Sequence, residues 1–237
     1  MRKESVWVAG ADGCKSGWFV VLWQPDTNAV RWRVVESTAD LFSLAERPVI
    51  IVIDMVLGLP TAAARGGRAC DRAARKLLGW PRSSSIFSPP CRAALACDTY
   101  PEALAVNRAS SAEHIGISKE AYYLFPKIRA LDACWPQPGL YEGHPELSFY
   151  ALNDDAPMPA SKHKPEGRAQ RQALLLNAGF DAVEEALANR PKGVKPDDVL
   201  DAFAVCWSAG RVAAGTAITL PDTPATDALG RPMAVSF

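Results

Sequence analysis

The sequence predicts an α/β fold, a mixed five-stranded sheet with a three-strand antiparallel meander plus parallel strands, flanked by helices. Three observations predict it. Strand-like runs at residues 6–11, 18–23 and 29–35 are joined by the short connections 12–17 and 24–28, which suit antiparallel neighbours. Five successive apolar residues, Val49 to Ile53, read as a strand buried on both faces, as in a parallel sheet covered by helices. A long, strongly apolar helix opening at Pro196 needs a sheet to pack on.

Taken in order, the first run is almost wholly apolar and leads into a lone acid, Asp12, within a glycine-rich turn, and Trp18 to Trp23 leaves on the other side. The third run alternates as Val30, Arg31, Trp32, Arg33, Val34, the pattern of a half-exposed strand. A short helix over 38–46 then leads to the buried strand, which ends in Asp54. Residues 58–140 read as an insertion rich in helices and loops. Within it, Arg68 to Leu78 is a helix closed by Gly79, a residue suited to a helix end. Ser118 caps a helix through Phe125, and Pro126 starts or kinks another running to about Cys134, both in positions these residues favour. Residues 140–144 fit a fifth strand, Pro145-Glu146 opens a helix to about Leu152, and the last helix runs from Pro196 to near Gly215. The expectation is a single domain over 1–237 carrying 58–140 as an insertion.

Composition narrows the function classes. A chain of 237 residues that is 49% hydrophobic can bury a sizeable core, and no apolar run reaches the ~18 residues a membrane span requires. Residues 1–5 lead into a run too short and too β-rich for a signal peptide, so a soluble, cytoplasmic protein is expected. The six cysteines form no Cys-x-x-Cys pair, which argues against a zinc site or a disulfide framework. A formal net charge of zero gives no global pull towards nucleic acid; such binding must come from a local patch.

The acids carry the chemistry. If the fourth strand lies parallel to the first, Asp12 and Asp54 emerge side by side at one sheet edge, where open α/β sheets place their sites. Asp198 and Asp201 are three apart, so both project from one helix face. Asp198, with Asp197, also suits the helix dipole, whereas Asp201 lies beyond the capping turn among Val199, Leu200, Ala202, Phe203 and Ala204. Glu146 is a further candidate. Carboxylates so gathered repel one another unless a cation neutralises them, and an all-oxygen donor set favours Mg²⁺ or Mn²⁺. Two such ions, roughly 3.5–4 Å apart, can activate a water and stabilise the leaving oxygen of a phosphodiester.

Basic residues supply candidate phosphate contacts. Arg68, Arg72 and Arg75 share one helical face, and so do Lys164, Arg168 and Arg171, by their spacings of four and three. Lys162, and Lys15 in the turn after Asp12, join them as substrate-binding candidates. Gly13-Cys14-Lys15-Ser16 is not a P-loop: Gly10 stands five residues before Lys15 where six are needed, and Cys14 replaces the last glycine, so the phosphate cradle is not formed.

The strand order and acid placement resemble the ribonuclease H-like fold, and Asp198-x-x-Asp201-Ala-x-Ala resembles the last helix of its Holliday-junction resolvases. The whole chain resembles an uncharacterised domain-of-unknown-function family described as predicted RNase H-like nucleases. The matching stretches include Asp12 to Trp18, Ile53 to Pro60, Arg68 to Arg75, Ser85 to Arg92, His144 to Phe149 and Lys162 to Arg171. The resemblance implies a metal-dependent nuclease acting on DNA or RNA, with Asp12, Asp54 and Asp201 holding Mg²⁺ or Mn²⁺ and Asp198 or Glu146 completing the set. Two alternatives stand beside it: a non-catalytic nucleic-acid or nucleotide-binding module on the same fold, and a phosphotransferase of the actin-like class. The latter ordinarily needs two such domains and a second glycine-rich phosphate loop, and only one such domain is apparent.

Overall fold

The antiparallel meander forms as the turns dictate. In the computed structural model, which describes residues 6–237, β1 (Val8–Cys14) pairs with β2 (Gly17–Gln24), and β2 with β3 (Ala29–Val35). The expectation made for residues 1–5 lies outside the described residues. Gly17 closes the first hairpin with φ at 123°, a conformation that favours glycine. Any Cβ there would also lie 2.1 Å from the Val35 carbonyl oxygen.

Helix α1 (Thr38–Phe42) is shorter than the 38–46 expected; a Ser37/Asp40 capping box starts it, and it stops at Ser43. Strand β4 (Ile50–Ile53) then pairs parallel with β1. Next come α2 (Ala69–Leu78), two 3₁₀ turns (Arg82–Ser85 and Arg92–Ala96), α3 (Tyr100–Ala109), α4 (Lys119–Tyr123) and α5 (Phe125–Ala133). Ser118 caps α4 and Pro126 sits in the first turn of α5, so the expected break between two helices is present. Strand β5 (Leu140–Glu142) completes a sheet of order β3-β2-β1-β4-β5. This is the mixed sheet expected, and it is consistent with ribonuclease H-like architecture.

The chain continues through α6 (Pro145–Leu152), α7 (Pro165–Asn177), α8 (Ala182–Ala188) and α9 (Pro196–Ala213), and two-residue strands at Thr219–Leu220 and Val235–Ser236 make a separate small sheet. No helix among the described residues is long and apolar enough to cross a membrane. Helix α9 packs across β1 and β4 and buries Val199, Leu200, Phe203, Val205 and Cys206. Each large apolar side chain so buried contributes about 1.5–3 kcal/mol.

Two compact units result. One takes the chain up to Met55, with Pro136–Ile218 and Ser236–Phe237; it holds the five-stranded sheet. The other comprises Val56–Trp135 and Thr219–Val235. The segment 219–235 thus belongs with residues 56–135, which the order of the sequence does not announce. Asp227 secures that segment by accepting the Leu59 amide at 3.1 Å.

Candidate functional site

Register brings the acids together. Ala11 and Ile53 are partners in the parallel β1/β4 ladder, and the Asp54 amide donates to the Ala11 carbonyl at 2.9 Å. Asp12 and Asp54, the next residue on each strand, therefore emerge level. Asp201 reaches them because α9 approaches β1 without a side chain in between. A Cβ on Gly10 would lie 2.2 Å from the Cys206 nitrogen and 2.4 Å from the Ala202 oxygen, distances no real Cβ tolerates, so glycine sets this approach.

A fourth member comes from the loop before α7. Lys162 Nζ donates to Asp201 Oδ2 at 2.5 Å. The loop is held from beneath: Gly167 lets the Ser161 carbonyl lie 2.1 Å from where a Cβ would be, and Arg171 Nη1 donates to the Ala160 carbonyl at 3.0 Å. The same arginine bonds Glu146 Oε1 through Nη2 at 2.6 Å. One buried guanidinium thus orders both the lysine loop and the start of α6.

The electrostatics are those of an acid excess in a low-dielectric setting. Burial raises the Asp12 carboxyl well above the usual carboxylate range, Asp54 and Asp201 push it further, and Lys162 opposes them. Asp54 is pushed up to about 6 chiefly by burial, against the Lys162 charge and a hydrogen bond with the Asp12 carboxyl. Asp201 is also raised by burial, opposed first by Lys162. The ammonium is in turn held charged above its ordinary range, first by Asp201. Such mutual shifts of neighbouring titratable groups mark candidate functional sites. Asp201 is 3% exposed, and its second oxygen, Oδ1, is buried with no hydrogen-bond partner. Glu146 Oε2 is in the same condition. Unsatisfied buried oxygens are costly and call for a ligand or an ion.

The remaining expected residues fall elsewhere. Asp198 accepts the Lys195 amide at 2.8 Å as part of a capping box, so the helix start accounts for one of its oxygens; burial raises it, and Asp201 contributes weakly. His144 caps α6, its Nδ1 accepting the Glu146 amide at 3.2 Å. The two basic faces are not arrays of solvated cations. Arg171 is fully buried, because its helical face turns towards Glu146. Arg68 is buried against Asp71 at 2.7 Å and donates to the Gly58 carbonyl at 2.9 Å. Arg72 and Arg75 donate to the carbonyls of Gly67 and Gly66, and Arg75 also to that of Ile86. These three serve the second unit's own loops. Lys15 and Lys164 are exposed, and Arg168 is half-buried, donating to the His163 carbonyl at 3.1 Å.

Sequence reasoning assigned Lys162 to phosphate binding and missed it as a partner of Asp201. It also missed Arg171 as the buried support of the site. The one available signal was position: Arg171 lies one turn after Gly167 and just before the apolar run Ala173 to Leu176. Among the described residues, no three His, Cys, Asp or Glu side chains are preassembled as a metal-binding group; the cation within the cluster is Lys162.

A family model described as "Protein of unknown function (DUF429)" matches residues 10–226. Neither a curated protein nor a solved structure matches the chain.

Proposed function

The chain belongs to the DUF429 family, and we propose that it is a divalent-cation-dependent phosphodiesterase of DNA or RNA, acting in the cytoplasm, with Asp12, Asp54 and Asp201 at its centre. One observation carries the reading. Three carboxyls from β1, the end of β4 and α9 are all raised by burial, Asp12 further by Asp54 and Asp201 and Asp201 further by Asp54, and Asp201 Oδ1 is buried without a partner. That oxygen is available to a ligand or an ion.

The donor set fits Mg²⁺ or Mn²⁺, whose ligands are hard oxygens. Asp12, Asp54 and Asp201 would hold the ion, with Glu146 Oε2 available beside them. When bound, the ion would supply activation of a water and stabilisation of the leaving oxygen of a phosphodiester. The chain's own residues do the rest. Arg171 fixes Glu146 and the Lys162 loop in place, so both are positioned before any ligand arrives, which is how preorganisation lowers the cost of binding. Lys15 and Lys164, exposed on the same unit, are cations that would meet phosphates.

A non-catalytic nucleic-acid-binding module draws on a different observation, that Lys162 already neutralises part of the cluster. Substrate screening separates the two. With Mn²⁺ and a panel of DNA and RNA substrates, the wild type is expected to cleave at least one, and Asp12→Asn and Asp201→Asn to cleave none while remaining folded. Full activity in either variant would refute the assignment; binding without cleavage by the wild type would support the module.

A further inference from the structure

The charges gathered at the site bear on how many divalent ions it takes. Asp12, Asp54 and Asp201 bring three negative charges when ionised. The charges of the other acids nearby are met by their own cations: Glu146 by Arg171 at 2.6 Å, which leaves Oε2 available, and Asp198 by Lys195, whose amide it also accepts at 2.8 Å. Lys162 brings one positive charge to 2.5 Å from Asp201. Two negative charges remain, which one divalent cation neutralises. A second would leave the same low-dielectric pocket with two excess positive charges, as unfavourable there as the acid excess it replaced.

Resting on that reading, we infer that Lys162 stands in for one of the two cations of a two-ion carboxylate site, so that this protein binds a single divalent ion beside a resident ammonium.

Three features support the assignment. The ammonium is not a mobile surface charge: its side chain is 27% exposed, and its loop is pinned by Arg171 on the Ala160 carbonyl and by the close packing at Gly167. It takes one oxygen of Asp201 and leaves the other, Oδ1, buried and open, so one position on this carboxylate is filled and one is available. Its charge acts on Asp12 and Asp54 as well as on Asp201, as a shared counter-ion does. Lys162 is on this account a positioning and charge-balancing residue, and a phosphate arriving at the single ion would meet a site already part-neutralised on the Asp201 side.

The test is a count. Mn²⁺ bound per chain is measured by electron paramagnetic resonance of the free ion on wild type, Lys162→Gln and Lys162→Arg. The wild type is expected to bind one ion, Lys162→Arg one, and Lys162→Gln two, the first of them about tenfold or more tighter than in the wild type because a like charge has been removed. If Lys162→Gln does not fold without metal, its refolding on added Mn²⁺ is the expected result. The double variant Lys162→Gln/Asp201→Asn, with two net negative charges again, is expected to bind one. Two ions in the wild type, or equal stoichiometry and affinity in wild type and Lys162→Gln, would overturn the inference and leave the metal site standing. No Mn²⁺ on any of the proteins would remove the metal site itself, and the inference with it.

Discussion

Each unit of this protein contains a buried cluster of charges, and the two are built to opposite rules. In the second unit, Arg92 pairs with Asp132 at 2.7 Å and with Asp227, and Arg231 pairs with Asp132. Two guanidiniums face two carboxylates. Asp227 also accepts the amides of Leu59, Leu229 and Arg231 at 3.1, 2.8 and 2.9 Å. Although burial works against it, those donors and Arg92 hold its carboxyl below the usual range. In the first unit, three carboxyls face one ammonium, all three are raised, and Asp201 keeps a buried oxygen without a partner. What separates the two is charge: a cluster whose guanidiniums match its carboxylates is complete as structure, whereas one with more carboxylates than cations calls for a further cation.

Substitution separates the two kinds. The largest effect is expected on activity: Asp12→Asn or Asp201→Asn lowers phosphodiester cleavage by about a thousandfold or more, ~4 kcal/mol of transition-state stabilisation, with the far-ultraviolet circular dichroism unchanged. The second unit answers in stability instead. Asp227→Ala leaves Arg92 with Asp132 alone and removes the acceptor of the Leu59, Leu229 and Arg231 amides, and is expected to cost about 3 kcal/mol or more in chemical denaturation.

The pH dependence sharpens the contrast. Asp54 titrates near 3.8 when unfolded and is pushed up to about 6 in the fold. Below about pH 4 both states are protonated and the group contributes nothing. Between these values the unfolded chain releases its proton while the folded chain keeps it, so stability falls as pH rises. Asp54→Asn is therefore expected to be more stable than wild type at pH 7 by about 1–3 kcal/mol, the difference vanishing below about pH 4 in melting experiments. Asp227 has the opposite sign: its carboxyl is lowered, so its contribution is present at neutral pH and is lost on acidification. The smallest effects belong to the exposed lysines. Lys15→Ala and Lys164→Ala are expected to change stability by less than about 0.5 kcal/mol and to weaken nucleic-acid binding evenly across sequences, with a shallower salt dependence.

How much of this could be read from the chain depends on how local the signal is. Asp12, Asp54 and Asp201 were legible because each follows or interrupts an apolar run whose period fixes strand or helix, and parallel pairing then dictates where the acids emerge. Asp198 was legible as a helix-start acid, and one of its oxygens caps that start. Lys162 was not legible as their partner: the loop that carries it has no period, and its place depends on Arg171 and Gly167 further along. The spacing of Lys164, Arg168 and Arg171 established a shared face but not which way it turned, and a buried guanidinium is paired with Glu146, 25 residues earlier. The same holds for Arg68, Arg72 and Arg75, whose targets are carbonyls that only the folded loops present. Asp227 looked like any turn acid, yet its amide and guanidinium donors come from up to 168 residues away.

The central claim is that the acid excess of the first unit makes it a cation site and that the balance of the second does not. Thermal melting against Mn²⁺ concentration, with wild type, Asp201→Asn and Asp227→Asn side by side, tests it most directly. A ligand that binds only the folded state stabilises it by about 2.7 kcal/mol at one hundred times its dissociation constant. The account predicts that rise for wild type and for Asp227→Asn, from its lower starting point, and none for Asp201→Asn. An equal response in all three, or no response in the wild type, would contradict it.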